Sequence, residues 1–279
     1  MDFGKALLKL GEKTAKLSYE KDGDYYGEDG LLYCGKCHTQ KQVRVQPMKN
    51  MPEITQACVC RCEADQMHER EEKRKREQRI EELRDRAFDY MNMQLWTFCR
   101  SDNEDPQLME AMRRYVELLA TKPVEEQLGL LLSGGVGCGK TYAAACVVNA
   151  LIDRQIPCKM TNFARIIAEY QDTHNKVDYM NMLNRNRLLV IDDLGAERTT
   201  SFVNEMVYQV IDSRARSGLP VIITTNLTLD EIKNPQQVEN QRIYSRILEM
   251  CHPLKVEGRD RRRKTAADRY DVMKEYLGM

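Results

Sequence analysis

No apolar run in this sequence approaches the ~18 residues that a membrane-crossing helix needs. Nor does the chain open on a secretory core, because Lys5, Lys9 and Lys13 interrupt every apolar stretch near Met1. Net charge is missing too: 43 basic residues balance 43 acidic ones over 279 positions. A globally basic nucleic-acid binder is thereby excluded, and any basic surface has to be local. Aromatics are sparse at 7%, with one tryptophan, whereas charged residues reach 31%. That balance fits a helix-rich protein with long solvated faces, expected in the cytoplasm and without a membrane partner. Ten cysteines in such a compartment do not build a disulfide framework. Their placement is the informative part, since five of the ten fall between Cys34 and Cys62.

Residues 1–17 set Phe3, Ala6, Leu7, Leu10 and Leu17 near helical spacing, which predicts a short amphipathic helix. Residues 18–33 are rich in Gly, Asp and Tyr and read as loop. From Glu63 to about Arg86 the chain is almost wholly charged, with Glu71 and Lys75 at a favourable i,i+4 spacing. Ile80, Leu83 and Ala87 add a thin apolar stripe, so a solvated connecting helix is expected. Helical patterning continues over residues 88–123, with an apolar patch at Phe88, Met91, Leu95, Trp96 and Phe98. The expected division is a small cysteine-bearing domain over residues 1–66, a helical linker over 67–123 and a larger domain over 124–279.

The linking chemistry starts at Leu128-Gly-Leu-Leu-Leu132, a short apolar strand. It runs into Gly134, Gly135, Val136, Gly137, Cys138, Gly139, Lys140 and Thr141, and a helix follows from Tyr142. Strand, glycine-rich loop and helix are the context a phosphate-binding loop requires. Glycines let backbone N–H groups turn inward on phosphates, and the helix N-terminus adds partial positive charge. Lys140 is placed to reach the β- and γ-phosphates of ATP, and the Thr141 hydroxyl to hold Mg²⁺. A second apolar strand ends in two acids, Asp192 and Asp193. Asp192 is expected in the Mg²⁺ shell and Asp193 beside the attacking water as base or orienter. Aspartate is one methylene shorter than the glutamate common at that position, which points to slow hydrolysis to ADP.

A third apolar strand closes on Thr224-Thr-Asn226. Asn226 can sense the γ-phosphate or the attacking water, although a helix cap is the blander use of such a strand end. Farther on, Arg246 lies on a helical stripe with Ile243 and Ile247. It can serve as an arginine finger on a neighbouring subunit's nucleotide, or simply be solvated. Residues 258–264 form the most basic run of the chain, open to nucleotide sensing, phosphate-backbone contact or plain solvation.

Cys34-Gly-Lys-Cys37 and Cys58-Val-Cys60-Arg-Cys62 gather thiolates from two short segments, as tetrahedral zinc requires. The favoured ligands are Cys34, Cys37, Cys60 and Cys62, with Cys58 or His38 as a substitute. Four protein ligands close the site, so the zinc is structural.

Together these pieces resemble the DnaC-like, IstB-related ATPases of the AAA+ class. The resemblance rests on the cysteine pairs, the charged helix, the Gly-Val-Gly-Cys-Gly-Lys-Thr loop and the stretch at 188–197. Thr-Thr-Asn-Leu-Thr at 224–228 and Arg-Ile-Tyr-Ser-Arg-Ile-Leu-Glu-Met at 242–250 complete it. It implies a loader that grips a hexameric replicative helicase through its N-terminal domain. It also implies self-association of the ATPase domain, binding of single-stranded DNA and DNA-stimulated turnover. By the same resemblance Lys140, Thr141, Asp192, Asp193 and Asn226 form the cis site, Arg246 acts in trans, and a sensor arginine falls at Arg261 or Arg262. Two other readings stay open: a transposition helper ATPase of the IstB kind, and a nucleotide-switched DNA-binding adaptor with little turnover. The expected fold is α/β, a parallel sheet of about five strands near 128–132, 156–160, 187–191, 220–225 and 253–257. Helices cover both faces, and a small, mostly helical zinc-binding domain precedes the sheet.

Overall fold

The computed structural model describes residues 20–48, 51–102, 104–196 and 200–278. The helix expected over residues 1–17 and the acid at Glu197 lie outside the described residues. Two compact units divide the chain, Met1–Glu77 and Gln78–Met279.

In the first unit, β1 (Tyr25–Tyr26) pairs antiparallel with β2 (Leu32–Tyr33), and β3 (Gln42–Val45) with β4 (Ile54–Ala57). The expectation of a mostly helical N-terminal domain therefore fails for residues 20–60, which hold strands and turns. Strands of two to four residues are too short to print a period in the sequence, which is why glycine and tyrosine density there reads only as loop. Gly35 makes its tight knuckle possible, because a Cβ there would lie 2.0 Å from the Gly23 carbonyl oxygen. Asp24 braces the same turn. It accepts from the Gly35 N–H at 3.0 Å and pairs with Lys41 at 2.5 Å, both side chains being only 4% exposed. The charged helix α1 follows (Arg61–Ala87). It is a single 27-residue helix, and its Glu71–Lys75 pair forms at 3.2 Å.

The second unit is a three-layer α/β domain. After the end of α1, α2 (Pro106–Thr121) starts behind the Asp105 cap, whose carboxylate accepts from the Leu108 N–H. Then come β5 (Gly129–Gly134), α3 (Lys140–Ile152), β6 (Cys158–Asn162), α4 (Phe163–Asp172), α5 (Lys176–Asn184) and β7 (Leu188–Leu194). The chain continues through α6 (Ser201–Ser217), β8 (Val221–Thr225), α7 (Leu229–Lys233), α8 (Val238–Met250), β9 (Cys251–Val256) and α9 (Arg261–Leu277). All five strands are parallel, in the order β6-β7-β8-β5-β9. Each lies within two or three residues of its expected position, because fully buried parallel strands read as continuous apolar runs. One face packs Leu132, Val190 and Ile222 under α2 and α3; the other packs Leu131, Ile191 and Ile223 under α4, α6 and α8. Among the described residues no helix is long and apolar enough to cross a membrane.

One core residue was not legible in the sequence. Arg214, in the last turn of α6, is 0% exposed. Its guanidinium donates to the carbonyls of Asn186 (3.1 Å), Arg187 (3.1 Å) and Pro220 (2.7 Å), stitching the entries of β7 and β8 together. Burial pulls its pKa down to about 10. Arg214→Leu strips one buried and two half-buried carbonyls of this donor, an expected loss of about 3–5 kcal/mol. Thermal unfolding of this unit should then fall by roughly 6–20 °C. A shift under about 2 °C would show that the three bonds stabilise little.

Candidate nucleotide-binding site

The loop between β5 and α3 turns through positive φ at Gly137 (76°) and Gly139 (101°). A side chain is barred at Gly137 and strained at Gly139. A Cβ on Gly137 would lie 1.9 Å from an Asp260 carboxylate oxygen, and one on Gly139 would meet the Arg261 guanidinium at 3.2 Å. The backbone thus stays bare for a phosphate while the Asp260–Arg261 segment closes on it, with the Arg261 N–H donating to the Gly137 carbonyl at 3.1 Å. Cys138 is a fully buried filler beneath the loop, and Val136 is exposed at its tip.

Lys140 is 5% exposed and donates to three oxygens, the Gly134 carbonyl at 2.9 Å, the Gly135 carbonyl at 2.8 Å and Asn226 Oδ1 at 2.9 Å, and to the Cys138 sulfur at 3.7 Å. Two motifs far apart in sequence thereby meet at one ammonium. Asp192 stands beside them. Burial holds its carboxyl above the usual carboxylate range, against the hydrogen bond from Thr224, while the charge of Asp193 raises it further and Thr141 and Lys140 pull it down. Asp193 has φ 57°, a left-handed conformation that aspartate tolerates better than most residues. The two acids sit in a bulge where β7 shifts register against β8, between Ile191 and Leu194.

These residues line one cleft of about 920 Å³. Its floor is Gly137, Gly139, Lys140 and Thr141; Asp192, Asp193 and Asn226 close one end; Arg100, Arg261, Arg262 and Arg269 add positive charge. An apolar wall of Met93, Trp96, Tyr142 and Tyr270 completes it. Residues 88–100 are not a continued α-helix. They form two 3₁₀ turns, Met91–Leu95 and Phe98–Arg100, tied down by Asn149, whose amide donates to the Met93 and Trp96 carbonyls at 2.9 Å each. The Tyr142 hydroxyl donates to the Thr97 carbonyl at 2.9 Å, and its ring lies 5.7 Å from that of Trp96. In the sequence Trp96 is distinguished only as the sole tryptophan within an apolar patch, far upstream of the loop it meets in the fold.

Both candidate sensor arginines border the cleft, but differently. Arg261 is 17% exposed and pairs with Asp102 at 2.9 Å and Glu104 at 3.5 Å, whereas Arg262 is exposed. Arg246 is not brought to this cleft. It sits on α8, pairing with Glu249 at 2.8 Å and Asp212 at 3.2 Å.

The residues suit the groups their chemistry implies. Bare glycine backbone, Lys140 and four arginines match a polyphosphate. The Thr141 hydroxyl and Asp192 carboxylate form a hard-oxygen donor pair suited to Mg²⁺.

In the first unit, Cys34, Cys37, Cys60 and Cys62 place their sulfurs within 4.8 Å of one another. Cys34–Cys62 and Cys60–Cys62 are 3.6 and 3.5 Å apart. A tetrahedral zinc with bonds of ~2.3 Å sets sulfurs about 3.8 Å apart, so the cluster fits that ion. Four such thiols cannot ionise together unaided. The Thr39 hydroxyl draws Cys37 down to about 5, while its neighbours, Cys60 foremost, push Cys62 up to about 12. The two substitutes stand aside: Cys58 faces the Gln40 carbonyl at 3.4 Å, and the His38 ring meets the Tyr25 hydroxyl at 3.2 Å.

Residues 63–268, well over half of the chain, match the family described as IstB-like ATP binding protein. The replicative helicase loader DnaI of Bacillus subtilis is 26% identical over 180 residues, covering 60% of this chain and 58% of DnaI. The replicative helicase loader DnaC of Escherichia coli K12 is 28% identical over 107 residues, covering 37% of this chain and 44% of DnaC. The chain thus spans about half the length of these curated relatives. A crystal structure of DnaI aligns with a TM-score of 0.52 at 23% identity, over 63% of this chain and 95% of that one. That likeness concerns the fold alone.

Proposed function

We propose a helicase-loading ATPase, on the premise that the chain belongs to the IstB-like ATP-binding protein family. The observation that carries the ATPase part is the meeting of Lys140, Thr141, Asp192, Asp193 and Asn226 in one cleft at the carboxyl ends of β5, β7 and β8. Lys140 exchanges its carbonyl partners for the β- and γ-phosphates of ATP. Thr141 and Asp192 hold Mg²⁺, which supplies neutralising charge to the phosphate oxygens. Asp193 takes the proton of the attacking water, and Asn226, already bonded to Lys140, orients that water. Arg261 or Arg262 reads the γ-phosphate from the same chain. Arg246 leaves Asp212 and Glu249 to act on a neighbouring copy's nucleotide. Trp96 and Tyr142 take the base.

The loader part is supported by likeness to DnaI and DnaC, both named as replicative helicase loaders. Residues 1–66, with structural zinc on Cys34, Cys37, Cys60 and Cys62, grip the helicase; 67–123 link; 124–279 turn over ATP, self-associate and contact single-stranded DNA. The protein acts in the cytoplasm, and its turnover is slow and DNA-stimulated. A transposition helper role is the second reading, favoured by the family description itself.

Mixing the full chain with the replicative helicase of the same organism and ATP should give a stable complex by light scattering. Stripping zinc should abolish it. Absence of a complex in every nucleotide state would remove the loader reading and leave the transposition helper. ATP turnover stimulated by single-stranded DNA would remove the pure adaptor.

A further inference from the structure

We infer that Thr224 is a positioning residue for the two acids of the nucleotide site, through which it acts; this rests on the ATPase reading above. Ile191 pairs with Ile223 and Leu194 with Thr225, so Asp192 and Asp193 on β7 face Thr224 alone on β8. A bulge of two residues against one leaves a backbone group that the regular ladder would have satisfied, here the Asp193 N–H. Thr224 takes it up and binds the Asp192 carboxylate as well. Its hydroxyl donates to Asp192 Oδ1 at 2.6 Å and accepts from the Asp193 N–H at 2.9 Å. A threonine hydroxyl has one proton and lone pairs to spare, so both bonds form together with the proton directed to the carboxylate.

The side chain is 0% exposed, and no water competes for either bond. Next to it the Thr225 hydroxyl donates to the Leu194 carbonyl at 2.7 Å. The bulge is thereby closed from both sides, with Asp193 held at φ 57°. Two consequences follow. Asp192 has Oδ1 occupied by Thr224, and its carboxylate also interacts with the Thr141 hydroxyl, the other candidate magnesium donor. Asn226, two positions beyond Thr224, is carried by the strand whose hydroxyl holds the acids, so water orienter and acids keep a constant spacing. A hydroxyl that merely satisfied a buried acid would not affect how the site holds its cation.

The test is the gain in affinity for a fluorescent ATP analogue when Mg²⁺ is titrated into the full-length protein. Thr224→Val keeps the volume and removes both bonds. It is expected to bind the analogue without Mg²⁺ about as wild type does, yet to need about ten- to hundredfold more Mg²⁺ for the affinity gain, the factor a hydrogen bond to a charged group carries. At saturating Mg²⁺ the turnover number should fall with KM for ATP little changed. Thr224→Ser retains the hydroxyl and should restore the Mg²⁺ requirement to within about threefold of wild type. An unchanged Mg²⁺ requirement in Thr224→Val, even with reduced turnover, overturns the inference. Should that variant not fold, Thr224→Cys, with a weak donor of similar size, undergoes the same titration and is judged by the same outcome. Wild-type protein that binds no nucleotide at all would instead refute the ATPase reading itself.

Discussion

Lys140→Ala is expected to lower ATP turnover by at least 10²–10³-fold, roughly the cost of removing one preorganised donor at a site of developing charge. The structure says why the loss is so large. Lys140, at the start of α3, joins that helix to the phosphate loop through Gly134 and Gly135 and to the end of β8 through Asn226. On the ATPase reading proposed above, the same ammonium would neutralise phosphate charge in a cleft with an apolar wall of Met93, Trp96 and Tyr142. Alanine removes the cation and frees Asn226 from its partner, so affinity and turnover should both drop. The fold should survive, because Lys140 lies at the first turn of α3, outside the apolar core. Steady-state kinetics beside a thermal melt will check this. Turnover within about fivefold of wild type would show that phosphate charge is carried by the arginines instead.

Zinc removal should unfold the first unit while leaving the second intact. Among the described residues the apolar core of that unit is Leu31, Leu32, Cys34 and Cys60. Such a core cannot offset the chain entropy of a unit this size. Binding of a structural zinc contributes on the order of 10 kcal/mol, which here is folding energy. One zinc per chain is expected by elemental analysis. Chelation, or Cys34→Ser with Cys60→Ser, should make the segment up to Glu77 sensitive to limited proteolysis while Gln78–Met279 persists as a fragment. A proteolysis pattern unmoved by the chelator would mean that the cysteine cluster is not what holds the unit together.

The two predictions differ in how far the sequence foretold their basis. Lys140 sits in a motif whose chemistry is local: glycine at positive φ, a helix N-terminus and a cation within one turn. Cys34 and Cys37 are likewise a local knuckle, but the sequence left Cys58 and His38 open as substitutes, and only the fold gathers Cys60 and Cys62 with the first pair. The sheet strands were legible because burial on both faces demands unbroken apolar runs, as in Leu188–Ile191. Short strands such as Tyr25–Tyr26 make no such demand, and so the β character of residues 20–60 could not be read. Nor could the 3₁₀ turns around Trp96, whose shape depends on Asn149 donating to their carbonyls from α3.

What the sequence alone determined, then, was each group that chemistry confines to one stretch of chain: the phosphate loop, the acid pair at a strand end, the cysteine knuckles and the five apolar strands. Tertiary structure decided which of these groups meet. It brought Asn226 to Lys140, set the Thr224 hydroxyl against two acids in a bulge, placed Arg261 rather than the more exposed Arg262 against the loop, and buried Arg214 under three carbonyls. The reason is physical. Periodicity along a chain records how much water each residue sees, whereas a cross-strand hydrogen bond depends on register and bulges, which arise only when strands distant in sequence pack together.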